Sequence, residues 1–226
     1  MVADIYINNA SMAIDGTAIF FLGGLIYYTS AFRKRGRLSD RLFFMMLVTD
    51  IVAAVFDIMV DFFEFRPGPY SAAMMMAGST VFNLAIIFAG SLLMLYALSY
   101  SENGVEKVRK SWKYWMIPAV VSAVFFVINL FTGWITYVDR ADNLYHHGPL
   151  YYVVYIPLYI YLLLAAVYLW KVNRSAMIIL IALVAVRLIM EALFQSVSST
   201  PFFVSVILTY LHVGEMNNEF DSEVNR

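Results

Sequence analysis

Seven long apolar stretches separated by short polar breaks organise this chain: Ala10–Phe32, Leu42–Phe63, Ser71–Leu98, Tyr114–Phe131, Leu150–Trp170, Ala176–Val197 and Pro201–Met216. A helix needs about 20 residues to cross about 30 Å of hydrocarbon. The first six meet or approach that length, and the shorter seventh crosses only if it lies steeply. Unbroken apolar runs, rather than ten-residue segments of alternating hydrophobicity, favour helices over a barrel. The expected fold is therefore all-α, a seven-transmembrane-helix bundle over residues 1–214. Pro149 and Pro201 are expected in the first turns of helices five and seven, Pro118 in the first turn of helix four, and Pro157 at a kink within helix five.

Composition agrees with this pattern: 62% of residues are hydrophobic and only 14% charged, against roughly 25% charged in soluble domains. The formal net charge of −1 conceals a strong asymmetry between the connections. Arg33, Lys34, Arg35, Arg37 and Arg41 fill the first connection, Lys107, Arg109, Lys110 and Lys113 the third, and Lys171 and Arg174 the fifth. Arg66 and Arg140 alone fall on the other side. The positive-inside rule then places the N-terminus outside and the C-terminus in the cytoplasm. Met1–Gly16 holds no lysine or arginine and so reads as mature sequence rather than a signal peptide. With no cysteine, disulfides, thiolate metal sites and cysteine nucleophiles are excluded.

Charge inside the apolar runs is the candidate chemistry. Asp50, Asp57 and Asp61 lie in the second run, spaced to share one helical face. Arg187 and Glu191, four apart, lie in the sixth, and Asn83 in the third. A charged group at such depth costs roughly 2.5–3.5 kcal/mol on insertion scales, unless paired or facing a cavity. At about 1.5 Å of rise per residue, Arg187 falls between Asp50 and Asp57 in depth, while Glu191 is level with Asp57. Three readings stay open: an ion pair that sets helix register, a ligand cavity or charge-paired switch, and proton or cation conduction. No predicted crossing contains a lysine, so a retinal Schiff base has no attachment point and no cofactor is expected. No nucleotide loop, HExxH or GxSxG motif is present, so no enzyme activity is expected of this chain, and no nucleic-acid partner.

The longest outer connection runs from Thr132 to Gly148. Alternation around Trp134–Val138 predicts a short extracellular hairpin with Asp142-Asn143 at its turn. Trp134, Tyr137, Tyr145, His146 and Tyr151 are candidates for a lid over the bundle, with simple loop–helix packing as the alternative. His146 and His147 point to opposite faces of an extended segment, so no metal site is expected.

Asn129-Leu-Phe-Thr-Gly-Trp-Ile135, Tyr137, Asp139 and Tyr145-His-His-Gly-Pro-Leu-Tyr-Tyr152 resemble the seven-helix sensor regions that precede GGDEF (diguanylate cyclase) domains in anaerobic Gram-positive bacteria; related regions precede some histidine kinases. Leu42-Phe-Phe-Met-Met-Leu-Val-Thr-Asp50 through Phe56-Asp57-Ile58 is similar to the same families. The resemblance implies a multi-pass sensor in a bacterial plasma membrane that responds to an undefined small ligand and works as a homodimer. It also implies a cytoplasmic output domain that these 226 residues do not include. Met216, Phe220 and Val224 recur every four residues, so residues 215–226 read as the start of an amphipathic linker to that domain. A small proton- or cation-coupled transporter or channel is the alternative.

Overall fold

The computed structural model describes residues 2–32, 37–64, 66, 68–139, 143–172, 174, 178, 181–182, 184–186, 189, 200–201 and 204–211. Arg187, Glu191, Asp142 and the 215–226 linker lie outside the described residues. The described elements are α1 (Val2–Phe32), α2 (Leu38–Glu64), α3 (Ser71–Ser99), α4 (Gly104–Thr132), β1 (Thr136–Asp139), β2 (Leu144–His147), α5 (Tyr151–Val154) and α6 (Ile156–Val172). Four helical segments, Asn9–Ser30, Leu38–Glu64, Ser71–Ser99 and Gly104–Thr132, are long and apolar enough to cross a membrane, and Ile156–Trp170 is a shorter apolar helix. Residues 204–211 are also helical.

α1, α2 and α4 start earlier than hydropathy alone indicates, while α3 starts at Ser71 as expected. α4 begins at Gly104 rather than Tyr114, so Pro118 lies inside the helix and not in its first turn. Hydropathy marks the apolar part of a helix, whereas backbone hydrogen bonding continues through the charged stretch 106–113. That stretch includes an exposed i,i+4 pair between Glu106 and Lys110 at 2.7 Å. Proline lacks an N–H to close its turn, and one turn back the Trp115 carbonyl accepts the Tyr161 hydroxyl from α6. Predicted helix five is likewise divided. Tyr155 interrupts it, Pro157 sits at the start of α6 rather than at a kink, and Pro149 lies in the turn ahead of α5.

α3 is the hub. It carries no charged residue over its 29 positions, and a helix that is apolar all round belongs in a core. Of its most apolar window 78% is buried, against 22% for α1 and α4. It packs against α2, α4, α6 and β1. Small residues permit the close approach: Gly78 lies against Met59, Val60 and the Phe56 carbonyl, and Gly90 lies against Leu158.

The exterior is apolar and the interior partly polar. Phe20, Tyr27, Val120, Val124, Phe131 and Leu163 are exposed, while Asp15, Asp50, Asp57, Asp61, Asn83 and Asn129 are buried. Such a surface is unsuited to water and suited to acyl chains. Exposed Trp112 and Trp170 have Lys113 and Arg174 over their rings at 5.9 and 5.5 Å, an arrangement that fits the membrane–water interface.

β1 and β2 form the anticipated antiparallel hairpin, pairing Thr136 with His147, Tyr137 with His146, Val138 with Tyr145 and Asp139 with Leu144. Asn143 enters the turn at φ 59°, a left-handed conformation that asparagine tolerates. Its N–H donates to the Asp139 carbonyl at 2.8 Å. Gly148 donates to the Ile135 carbonyl at 2.6 Å, and an added Cβ there would collide with the Trp134 carbonyl.

Candidate functional site

A buried acidic cluster forms where α1 faces α2. Asp50, Asp57 and Asp61 lie on the buried face of α2, as their spacing requires. On α1 the buried residues Ser11, Asp15, Ala18 and Leu22 recur at spacings of four, three and four, again one face. Asp15 interacts electrostatically with Asp57, Asp61 and Asp50. Ser11 hydrogen-bonds Asp61, and Glu64 adds to the acidic field there. Asp50 lies deeper, two turns from Asp57. It is fully buried, and neither of its carboxylate oxygens has a hydrogen-bond partner among the described residues.

The hairpin closes one end of this polar layer. The Tyr145 side chain has Thr136, Asn83 and Ser79 as hydrogen-bonding neighbours, with Asp57 beyond them. The Tyr155 hydroxyl donates to Asn83 Oδ1. Tyr151 stacks on His147 at 3.7 Å and tilts against Tyr155 at 4.8 Å. Hairpin, α3 and the α5–α6 break thus meet around Asn83.

Two asparagines clamp the hairpin to the helices. Asn143 donates to the Phe63 and Glu64 carbonyls at 2.9 and 2.7 Å and accepts from Ser71 Oγ at 2.7 Å. The C-terminal end of α2 and the start of α3 are therefore tied to the turn, and the Tyr145 N–H reaches Glu64 Oε1 at 3.3 Å. At the other end Asn129 Oδ1 accepts the N–H groups of Ile135 and Thr136 at 2.6 and 3.2 Å. Its Nδ2 donates to the Thr136 carbonyl and hydroxyl, both at 2.9 Å.

Of the residues singled out from sequence, Asp57, Asp61, Asn83, Tyr145 and Tyr151 are thus brought into or against one polar layer. Tyr137 stacks on His146 at 5.3 Å, and Tyr137 and Trp134 are exposed, so these three form the outer side of the hairpin. Ser11, Asp15, Asn129, Asn143 and Tyr155 were not singled out as site residues. A serine and an acid four apart in an otherwise apolar first span were the available signal for the α1 pair. Among the described residues no group of three His, Cys, Asp or Glu side chains is placed to hold a metal ion. A separate cavity of about 90 Å³, with an almost wholly apolar lining that includes Met46, Gly90, Leu158, Thr200 and Leu208, lies among α2, α3, α6 and residues Thr200, Val204, Ile207 and Leu208.

Burial pushes the Tyr145 hydroxyl up to about 12; Asp57 adds to the shift, and the contacts with Thr136, Asn83 and Ser79 oppose it. The tyrosine therefore stays a hydrogen-bond donor throughout the physiological range. Between about pH 10 and 12 an unfolded tyrosine has lost its proton while the folded one retains it, so the folded state loses stability as pH rises through that window. A spectroscopic pH titration of tyrosinate absorbance is expected to show one fewer late-ionising group in Tyr145→Phe than in wild type. A Tyr145→Phe titration identical to wild type would place the late-ionising group elsewhere.

Together these features define a mostly helical chain with four helices long and apolar enough to cross a membrane and a buried cluster of acids between α1 and α2. Comparison of the chain with protein-family models, curated proteins and solved structures finds no match.

Proposed function

We propose that this chain is a membrane-embedded sensory module: seven crossings, N-terminus outside, with a signal received in the outer half of the bundle and passed through helix seven to a cytoplasmic output domain. The observation that carries this reading is the hairpin clamp. One β-hairpin is bonded to the ends of α2, α3 and α4 and directs Tyr145 toward the acid-bearing face of α2. A ligand that alters the seat of Tyr145 has a direct mechanical route to three helices. It shifts their arrangement by its differential affinity for the two states, and by no more. Diguanylate cyclase output and a homodimeric state in a bacterial plasma membrane are the parts of the proposal supplied by the resemblance in residues 42–58 and 129–152.

The test is a fusion carrying a diguanylate cyclase domain after Arg226, assayed for cyclic di-GMP in membranes. Asn143→Ala is expected to change basal output by about fivefold or more, the low end of measured allosteric couplings, while exposed Tyr137→Ala leaves it within about twofold of wild type. Output that ignores Asn143→Ala would remove the hairpin from signal transmission.

Asp15, Asp50, Asp57 and Asp61, acting on one another across the α1–α2 seam, also suit a second reading, a cation- or proton-coupled transporter or channel. Ion flux in proteoliposomes that Asp50→Asn abolishes would favour it over the sensor.

A further inference from the structure

We propose that the apolar cavity among α2, α3 and α6 binds a small apolar molecule dissolved in the bilayer, smaller than benzene, and that Tyr155 passes its occupancy to the hairpin. The site stands on its own; the second part rests on the sensory reading above and names the class of its signal.

Lining and size lead to this class. None of the described residues around the cavity is charged, and its few hydroxyls belong to Tyr155, Tyr159 and Thr200. The Tyr155 hydroxyl is engaged by Asn83 Oδ1. A cavity with so apolar a wall stays dry, and an empty void in a packed core forfeits dispersion contacts that a fitting apolar guest restores. An engineered cavity of about 150 Å³ takes benzene or xenon. At about 90 Å³, this one suits guests of the size of xenon or cyclopropane. The space has a cause in the sequence: Ala89 and Gly90 give α3 almost no side chain where it meets α6, and Leu158 sits against Gly90. The wall runs from buried Met46 to exposed Tyr159, so one side reaches the apolar exterior, where a bilayer concentrates apolar solutes.

The cavity also borders the polar layer. Tyr155 lines it, tilts against Tyr151 at 4.8 Å and donates to Asn83, a neighbour of Tyr145. A guest against the Tyr155 ring therefore bears on the residues that seat the hairpin.

The full chain, with methyl-labelled methionine, is placed in phosphatidylcholine nanodiscs and titrated with xenon and with cyclopropane while methyl resonances are followed by NMR. Met46 lines the cavity, whereas Met45, its neighbour on α2, is exposed. The Met46 methyl is expected to shift saturably, and the Met45 methyl only in proportion to the dissolved gas. Ala89→Leu, whose added carbons fill the space, is expected to abolish the saturation; where it is not monodisperse, Val204→Phe is read in its place. In the cyclase fusion, cyclopropane is expected to change output about fivefold, the low end of measured couplings. Asn83→Leu, outside the cavity, is expected to keep the saturable Met46 shift and lose that response.

A Met46 shift as linear as that of Met45, or one that saturates unchanged in the filled variant, overturns the site. Saturation in amphipol that disappears in the nanodisc assigns the cavity to a lipid acyl chain and overturns it too. An output change that persists in Ala89→Leu is an effect on the bilayer and overturns the relay. Binding is read on the chain alone and output on the fusion. Absent binding with an output that still responds to Asn143→Ala would sink the site and leave the sensory reading standing. Saturable binding with an output that ignores both Asn143→Ala and cyclopropane would do the reverse.

Discussion

Replacing Asn129 with alanine is expected to destabilise the protein by about 2–4 kcal/mol, the sum of several buried hydrogen bonds lost without replacement. Asn129 is 1% exposed, Ile135 1% and Thr136 0%, so water cannot take over. The substitution strands the N–H groups of Ile135 and Thr136, which now donate to Asn129 Oδ1, and removes the donor to the Thr136 carbonyl. The truncated side chain also leaves a void between α4 and the start of the hairpin. Thermal unfolding in a mild detergent measures the loss. Hydrogen exchange at Ile135 and Thr136 is expected to accelerate ahead of exchange in α3, because the hairpin loosens before the bundle opens. A change below about 0.5 kcal/mol, the range of ordinary surface substitutions, would show that Asn129 does not anchor the hairpin.

The second large effect has the opposite sign. Asp50→Leu is expected to stabilise the fold by about 1–3 kcal/mol, comparable to the cost of a buried polar group without partners. Asp50 is fully buried, its oxygens are unpartnered among the described residues, and the α2 face around it holds Met46, Leu47, Ala53 and Ala54. Leucine has the same heavy-atom branching, with two methyl groups that are bulkier than the carboxylate oxygens, and it removes the desolvation cost. Stabilisation accompanied by lost function would identify Asp50 as a group retained for its role, a common pattern at functional sites. Destabilisation by a similar amount would instead show that a partner satisfies Asp50. Arg187, the base closest to it in expected depth, would be the first candidate, and the double variant Asp50→Leu/Arg187→Leu should then restore most of the loss.

Much of the candidate site could be read from local pattern. Three acids at spacings of seven and four share a face on any α-helix, and α2 buries that face. Alternation followed by an asparagine-bearing turn forms a hairpin wherever both strands find a surface, and α3 contacts β1. The partners of these elements were less accessible. Asp15 looked like one acid in a long first span, and only the packing of α1 on α2 sets it against Asp57 and Asp61. Asn129 and Asn143 each bond backbone groups contributed by other segments, and no periodicity reports such partners. Tyr145 and Tyr137 are similar residues on one hairpin. Pairing register turns the first toward Asn83 and the second outward, since adjacent pairs along a strand face opposite sides.

The apolar spans, the shared face of the α2 acids and the hairpin follow from local pattern, because hydropathy, the 3.6-residue repeat and turn preference act over short stretches of chain. Tertiary structure alone decided where α4 begins, how the helix after Tyr151 divides at Tyr155, and which polar groups meet. Those outcomes depend on contacts between residues far apart in the chain: Asp15 with Asp57, Asn143 with Phe63 and Glu64, and Tyr145 with Asn83. Their energies follow from burial at a shared site, which no short stretch of sequence contains.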